Sequence, residues 1–235
     1  MKPRYLGQNN SHSSKFLLDR ILRQEGRKDL NKYKSYGLDI WNAYEFAYLL
    51  NDKPKIVVLE ISIPADSKYT IESKSMKLFL NSFFNNNYAK QAEVLNILTK
   101  KISKQCNAKV KIVTKSSFKN FDRDNFINKN GLLVYKGFRS ICPVTSQPDW
   151  GNIYLYSLTN TLNKKEIFDF LFSLRNHGGF HEHCIEKTFL YIKETFSVDH
   201  LEICGRFFRR GGIDINPIRS TQKKLFFENF REFNQ

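Results

Sequence analysis

Two stretches of this chain repeat one pattern of strands and helices, and that repeat constrains the fold most strongly. In the first stretch, residues 55–64 (KIVVLEISIP) are rich in β-branched residues and predict a strand. Ser73 is the predicted N-cap of a following helix, and apolar residues at helical spacing predict a second helix over residues 92–105. Residues 108–116 return as a strand. The predicted order is therefore strand, helix, helix, strand.

The second stretch repeats that order at low sequence identity. Residues 152–158 alternate as a strand, and residues 165–174 carry the apolar stripe of a helix, which the glycine pair of residues 178–179 ends. A further helix is predicted over residues 181–195, and residues 200–209 close as a strand. The repeat predicts an α+β architecture of two β-α-α-β modules, each with an antiparallel sheet and helices on one face.

Composition indicates where these modules begin and end. Residues 120–130 are polar and charged, which is typical of a linker. We therefore expect one module over residues 36–119 and the other over residues 131–222. The basic ends, residues 1–34 and 223–235, carry no readable pattern.

Cysteine usage and hydropathy favour a cytoplasmic protein. The chain has four widely separated cysteines without a CxxC pair, and residues 1–14 lack the apolar core of a signal peptide. The longest apolar stretches fall well short of the ~20 residues that a membrane helix requires. The sequence therefore predicts reduced thiols and no membrane span.

The net charge of +15 indicates an anionic partner. Lysines are spread along the whole chain, which favours phosphate-bearing small ligands over nucleic acid. A basic nucleic-acid-binding module, in which Phe and Tyr are interleaved with Lys, stays open as an alternative.

Residues 140–151 (SICPVTSQPDWG) form the strongest candidate for chemistry, because they show no periodicity of a core strand. Pro143 and Pro148 stiffen the backbone by fixing φ. A thiolate at Cys142 is a nucleophile for an electrophilic carbon, and a carboxylic acid at Asp149 protonates the atom on which negative charge develops. Taken alone, Cys142 also fits a buried structural thiol and Asp149 a turn residue.

Glu72, Ser73 and Lys74 stand where an extended segment enters a helix, so backbone N–H groups and a lysine converge there. This arrangement suits an anion, although ordinary capping by Ser73 explains it as well. A carboxylate accepts two hydrogen bonds at once, which matches the adjacent N–H and amino donors of a guanine-like ring. Glu72 fits that role, and Glu182 offers the same chemistry in the second module.

A second cluster contains residue types that bind zinc, namely His177, His181, His183 and Cys184. Two features argue against a zinc site: the glycine pair interrupts the helix, and residues two apart diverge on a helix. Zinc stays open as an alternative.

Residues 209–212 combine two arginines with two glycines after the last predicted strand. Such a segment lets backbone and guanidinium groups approach a phosphate closely, although a basic turn is common in a chain rich in Lys and Arg. No GxGxxG motif follows a strand, so a Rossmann nucleotide site finds no support.

Five segments together carry a family resemblance: LEISIPAD, YTIESKSMKLFLNSF, SICPVTSQPDWG, GGFHEHCIEK and RRGGIDINPIRS, all within residues 36–220. In this order they resemble the long, two-module form of the NADPH-dependent 7-cyano-7-deazaguanine reductases, the nitrile reductases of queuosine biosynthesis. The resemblance implies two tandem tunnelling-fold modules, whose antiparallel sheets assemble across subunits into a barrel, and a homodimer. A zinc-dependent hydrolase or synthase of the same fold, similar to GTP cyclohydrolases, stays open as a competing enzyme.

The resemblance also implies a reaction, in which two NADPH reduce the nitrile of 7-cyano-7-deazaguanine to an aminomethyl group. Cys142 would add to the nitrile carbon as a covalent thioimide, and Asp149 would protonate the nitrogen. Implied substrate contacts are Ile71, Glu72, Ser73, His181 and Glu182. Implied NADPH contacts are Ser73, Lys74, Arg210 and Gly211. It further implies a small-molecule substrate, no metal and no direct nucleic-acid partner.

Overall fold

One large antiparallel sheet joins strands from both halves of the chain. The structure is a computed structural model that describes residues 18–31, 33–120, 131–158 and 162–235. The first half forms β1 (Arg20–Leu22), α1 (Arg23–Gly26), β2 (Tyr36–Leu50), β3 (Lys53–Pro64), β4 (Tyr69–Ile71), α2 (Ser73–Asn81), β5 (Asn87–Tyr88), α3 (Gln91–Cys106), β6 (Lys111–Lys115) and β7 (Lys119–Asn120). The second half forms β8 (Leu132–Ile141), β9 (Pro148–Ser157), α4 (Lys164–Ser173), a 3-10 turn (Leu174–Asn176), α5 (His181–Thr195), β10 (Leu201–Phe207), β11 (Ile213–Ser220) and β12 (Phe230–Arg231).

The strand order of the large sheet is β6-β3-β2-β11-β10-β9-β8, and each neighbouring pair is antiparallel. The short β5 extends one end of β2 in parallel. The two halves meet where β2 pairs with β11. Asn42 and Asp214 are partners in that register and hydrogen-bond to each other, although 172 positions separate them. The α+β prediction is confirmed, and the division into modules over residues 36–119 and 131–222 stays a prediction.

Three long strands were missing from the predicted order, namely β2, β8 and β11. The chain does not continue as a turn after the arginine and glycine pairs of residues 209–212, because β11 begins at Ile213. This strand carries buried polar side chains, and its Asp214 and Asn216 are satisfied by partners on neighbouring strands. Pro217 is tolerated because the ladder to β10 has already ended at Ile218. The first half therefore has one long strand, and the second half two, beyond the predicted strand-helix-helix-strand order.

The helices cover one face of the sheet. In the first half, α2 and α3 pack on β3 through a buried cluster that includes Phe79, Leu80, Val94, Leu98, Ile102, Leu59, Ile61 and Ile63. In the second half, Ile185 and Phe189 of α5 pack on Leu155 and Ile203. Each fully buried side chain of this kind stabilises the fold by about 1.5–3 kcal/mol. The apolar residues whose spacing predicted these helices are therefore the residues that the helices bury against the sheet.

The opposite face of the sheet is covered by the end of the chain. Side chains alternate along a strand, so Cys204 points away from the helices toward Tyr154, Phe227 and Phe230. Phe227 and Phe230 are both 4% exposed. Residues 223–235, whose sequence shows no periodic pattern, thus form a third hydrophobic cluster together with this face of the sheet.

The predicted linker over residues 120–130 lies outside the described ranges except for Asn120. Residues 1–14, for which no signal peptide is predicted, also lie outside them. Across the ranges that are described, no helix is long and apolar enough to cross a membrane.

Candidate active site

Cys142 lies at the start of the turn that connects β8 to β9. Its N–H donates to the carbonyl of Gln147 at 2.9 Å, and its own carbonyl accepts from the N–H of Ser146 at 3.0 Å. Ser146 adopts a positive φ of 57°, as a tight turn requires. These bonds close residues 142–147 into a compact loop that holds the thiol at the rim of the sheet.

The chemistry of the Cys142 thiol differs from that of the other cysteines. Burial opposes its ionisation, but hydrogen bonds from the Thr145 hydroxyl, the N–H groups of Thr145 and Val144, and Arg210 together lower its pKa. By contrast, burial raises the pKa of Cys106, Cys184 and Cys204 to about 12. Cys142 is therefore the cysteine suited to act as a nucleophile.

Asp149 stands at the beginning of β9, paired with Ser140 of β8. Its side chain is almost fully buried, and Oδ1 lies 2.7 Å from Nη2 of Arg210. Oδ2 is buried and accepts no hydrogen bond from any described residue. The carboxyl group thus has one anchored oxygen and one oxygen available to carry a proton toward a ligand.

His181 begins α5 and faces Asp149, with 3.8 Å between Nε2 and Asp149 Oδ1. Its ring also packs edge-on against Phe207 at 4.2 Å between centroids. Burial, reinforced by the positive charges of Arg210 and Lys77, lowers the pKa of His181 to about 4, although Asp149 opposes this shift. His181 is therefore a neutral imidazole near neutral pH.

Glu182 follows on the same helix and is 7% exposed. The hydroxyl of Thr70 donates to its Oε1 at 3.2 Å. Burial and the negative charge of Asp39 raise the pKa of Glu182 to about 7, while the charges of Arg23 and Arg219 oppose the shift. This carboxyl group is poised to gain or lose a proton close to neutral pH.

Glu72, rather than Ser73, is the N-cap of α2, so that part of the prediction is wrong. Its two carboxylate oxygens accept from the N–H groups of Lys74 at 2.8 Å and Ser75 at 2.7 Å. The longer side chain of Glu72 reaches both donors from its extended backbone. Each oxygen retains a lone pair for a ligand, because an ionised carboxylate has about four acceptor positions.

A group of cations lies beside these carboxylates. Lys74, Lys77 and Arg210 all line the same cavity as Cys142. Burial and the neighbouring charge of Arg210 lower the pKa of Lys77. Gly211 has a positive φ of 60°, and a Cβ there would stand 3.3 Å from the Lys77 side chain. Glycine suits this position because any other residue would adopt a strained backbone and crowd the Lys77 side chain.

One cavity of about 360 Å³ brings the predicted site residues together. All ten of them line it: Ile71, Glu72, Ser73, Lys74, Cys142, Asp149, His181, Glu182, Arg210 and Gly211. A second cavity of about 930 Å³ adjoins it, since both are lined by Thr70, Glu72 and Glu182. The residues come from both halves of the chain, which the sheet has joined.

Comparison with known proteins places this arrangement in a family. The description "Nitrile reductase, 7-cyano-7-deazaguanine-reductase N-term" matches residues 9–114, and "QueF-like protein" matches residues 148–225. A protein of Coxiella burnetii (strain Dugway 5J108-111), named NADPH-dependent 7-cyano-7-deazaguanine reductase, is 35% identical over 93% of this chain and 91% of its own length. The chain belongs to this reductase family.

Further relatives with the same name match most of this chain. A relative from Burkholderia vietnamiensis is 32% identical over 85% of this chain and 84% of its own length. One from Paraburkholderia phytofirmans is 30% identical over 96% of both chains. Of the proposed catalytic pair, Asp149 lies inside the segment of the second family description, and Cys142 lies between the two matched segments.

The residues of this reductase-family chain fit the dinucleotide that the relatives' names specify. NADPH carries several phosphates, and Lys74, Lys77 and Arg210 supply cationic donors within one cavity. The glycine at position 211 leaves room for close approach. The donor set therefore suits a phosphate-bearing ligand without a Rossmann motif.

The histidine cluster separates only in part, because the rings of His177 and His183 stack with centroids 5.6 Å apart, whereas His181 faces Asp149. His183 points away from His181, and its Nε2 lies 3.4 Å from Asp29 Oδ2. The thiol of Cys184 points toward the carbonyl of Gly179 at 3.8 Å. In the described part of the chain, no group of three His, Cys, Asp or Glu side chains is arranged to hold a metal ion.

Sequence reasoning missed several residues of the cavity, including Trp41, Thr70, Lys77 and Gln147. Two of them had a local signal: Lys77 stands three positions after Lys74 on α2 and so shares its face, and Gln147 lies within residues 140–151. Trp41 and Thr70 come from β2 and β4, and no local pattern links them to Cys142.

Proposed function

We propose that this chain reduces the nitrile of 7-cyano-7-deazaguanine to an aminomethyl group, with NADPH as reductant. The observation that carries the proposal is the shared cavity of the ionisable Cys142 thiol, the half-anchored Asp149 carboxyl and the carboxyl groups of Glu72 and Glu182. The printed names of the relatives agree with it.

The first step is addition of Cys142 to the nitrile. A bond forms between Sγ and the nitrile carbon while one π bond of C≡N breaks, and the nitrogen takes a proton from Asp149. The product is a covalent thioimide, which accepts a hydride more readily than a nitrile. Oδ2 of Asp149 is the oxygen that has no other partner among the described residues, so it is our candidate for the proton carrier.

Recognition of the base falls to the carboxylates on either side of the thiol. Glu72 and Glu182 offer acceptors for the N–H and amino groups of a guanine-like edge. Thr70 and the cap of α2 hold these side chains in place. Ile71, Ser73 and the neutral His181 complete the pocket around the ring.

The cofactor supplies hydride, and conversion of a nitrile to an amine needs two of them. Ser73, Lys74, Arg210 and Gly211 are the proposed contacts, and Lys77 joins them on the basis of its position. Their role is to hold phosphate groups and so to orient the cofactor toward the carbon attached to Cys142.

An assay of NADPH oxidation tests the proposal. Adding 7-cyano-7-deazaguanine to the purified protein should consume two NADPH for each aminomethyl product, as measured by absorbance and by mass spectrometry of the product. No consumption of NADPH with correctly folded protein would reject the function. We also infer a role in queuosine biosynthesis. A strain that lacks this protein should lack the modified base in its tRNA, and supplementation with the aminomethyl product should restore that base.

We further infer assembly into a homodimer. The large sheet ends in β6 on one side and β8 on the other, and a second copy can pair with these edge strands, except at Ile141, which already pairs with residues 177–179. Light scattering coupled to gel filtration distinguishes a dimer from a monomer.

A further inference from the structure

The larger cavity of about 930 Å³ meets the active-site cavity at the proposed base-binding carboxylates. Six residues line both cavities, namely Ile21, Thr70, Glu72, Val144, Phe180 and Glu182. By contrast, Cys142, Asp149 and the cations Lys74, Lys77 and Arg210 line the smaller cavity alone. The larger cavity therefore reaches the site from the side of the carboxylates and does not extend to the cations.

This larger cavity leads from the protein surface to the buried carboxylates. At its outer end, Arg20, Gly26 and Lys104 are exposed, whereas Glu72 and Glu182 at its inner end are buried. The segment β1 forms part of its wall and is held in place by antiparallel pairing with β4. The cavity is therefore a preformed passage between solvent and the site of the base.

The active-site cavity also reaches the surface without the larger one. Lys74, Thr145, Gln147 and Gly211 line it and are exposed, and none of them lines the larger cavity. The thiol of Cys142 is buried inside. Two separate openings therefore lead to one buried nucleophile.

Charge distinguishes the two openings. Lys74, Lys77 and Arg210 lie in the active-site cavity with the opening of its own. Five carboxyl side chains but three Lys or Arg side chains line the larger cavity, and one of these three, Arg23, is already paired with Asp39 at 2.5 Å. An anionic dinucleotide is attracted to the cations and repelled by an excess of carboxylates. An uncharged base meets no such repulsion.

We propose that the larger cavity is the route by which the nitrile-bearing base enters, while NADPH uses the opening beside Lys74 and Arg210. The proposal rests on the function above. Reduction of a nitrile to an amine needs two hydrides, so one NADP⁺ leaves and a second NADPH binds while the carbon stays attached to Cys142. Separate openings allow this exchange without release of the base, which fills the end of the site toward Glu72 and Glu182.

A side chain added at Gly26 tests the route. A Cβ at this position would meet no atom within 4 Å, so Gly26→Trp places an indole at the cavity wall without a backbone clash. Thioimide formation without NADPH, followed by rapid quenching and intact-protein mass spectrometry, should slow at least about tenfold in this variant. Gly26→Ala is the matched control, because it adds a single methyl group, and it should keep the rate of the unaltered protein.

Rate and extent together distinguish a route from a binding contact. A narrowed passage slows formation and reversal of the adduct alike, so the extent of adduct at equilibrium should stay unchanged in Gly26→Trp. Iodoacetamide labelling of Cys142 should also keep its rate, because this small reagent can use either opening. Lys104→Trp narrows the same cavity from α3 and should act like Gly26→Trp.

The cofactor opening is tested by the reverse comparison. Lys74→Gln should weaken NADP⁺ binding, measured by calorimetry, and leave the rate of thioimide formation unchanged. Gly26→Trp should show the opposite pattern, with unchanged NADP⁺ affinity and slow thioimide formation.

The outcomes separate the route from the function. Thioimide formation as fast in both Gly26→Trp and Lys104→Trp as in the unaltered protein would overturn the route alone. Weaker NADP⁺ binding by Gly26→Trp at an unchanged rate of thioimide formation would do the same. If the unaltered protein forms no adduct and consumes no NADPH, the proposed function fails and the route fails with it.

Discussion

Asp39 and Arg219 form a fully buried ion pair where the two halves of the chain meet. Nη1 of Arg219 on β11 lies 2.7 Å from Oδ1 of Asp39 on β2, and both side chains are 0% exposed. The other oxygen of Asp39 binds Arg23 at 2.5 Å, and Arg219 continues to Glu186 of α5 at 2.8 Å. This network ties the segment before β2 and the two central strands to the helix that carries Glu182.

Breaking the network should destabilise the whole fold. Arg219→Met is expected to lower the free energy of unfolding by about 3–5 kcal/mol, because Asp39 and Glu186 would each lose one of the two cations that they bind. Urea unfolding measures the loss. Lys165→Met on α4 is the control, since Lys165 and Asp169 are a largely exposed pair, and it should leave stability almost unchanged. Equal losses in the two variants would contradict the prediction.

Glu182 should make the fold less stable as the pH rises. Its pKa is raised by burial to about 7 from an ordinary value of 4.5, so the folded state binds the proton more tightly than the unfolded state. The stability it contributes is present below the unfolded pKa and is lost as the pH rises through the folded pKa. Between about pH 5 and about pH 8, the unaltered protein should lose on the order of 2 kcal/mol more than Glu182→Gln. Urea unfolding at both pH values measures this loss. An equal loss of unfolding free energy in the unaltered protein and in Glu182→Gln would refute the prediction.

Alkylation should select Cys142. The pKa of its thiol is lowered by hydrogen bonds that outweigh burial, whereas burial raises the pKa of Cys106, Cys184 and Cys204 to about 12. Iodoacetamide reacts with thiolates, so Cys142 should be labelled first in the folded protein. Peptide mass mapping at short reaction times measures the order, and earlier labelling of another cysteine would count against Cys142.

Cys142→Ala should abolish both turnover and the covalent adduct with 7-cyano-7-deazaguanine, because no other cysteine lines the cavity of the described structure. Intact-protein mass spectrometry detects the adduct. Cys106→Ala, in the first-half core, should keep it. An adduct of the expected mass in Cys142→Ala would exclude this residue as the nucleophile.

Asp149→Asn should slow reduction by about 10²–10⁴-fold, the usual effect of losing a general acid. Substrate binding should persist, since the amide keeps the shape of the carboxyl group. Steady-state NADPH oxidation measures the effect, with Asp169→Asn on the surface of α4 as a control. Turnover within a few-fold of the unaltered protein would remove Asp149 from the mechanism.

Local patterns were enough to predict the four long helices and the residue types of the site. The stripe of Ile185 and Phe189 predicted α5 because helical periodicity is set within a few turns. Cys142 and Asp149 stood out because residues 140–151 lack the periodicity of a strand, although residues 148–151 begin β9 and Asp149 is buried there. The family resemblance then implied their roles, with Cys142 as the nucleophile and Asp149 as the proton donor.

The sequence by itself determined the α+β class, the helices and the candidate nucleophile. Tertiary structure alone decided that β2 pairs with β11 and that Arg210 binds Asp149. Buried polar strands such as β11 escape pattern reading because their side chains are satisfied by partners far away in the chain. Such contacts depend on how distant segments pack, and local periodicity carries no information about that.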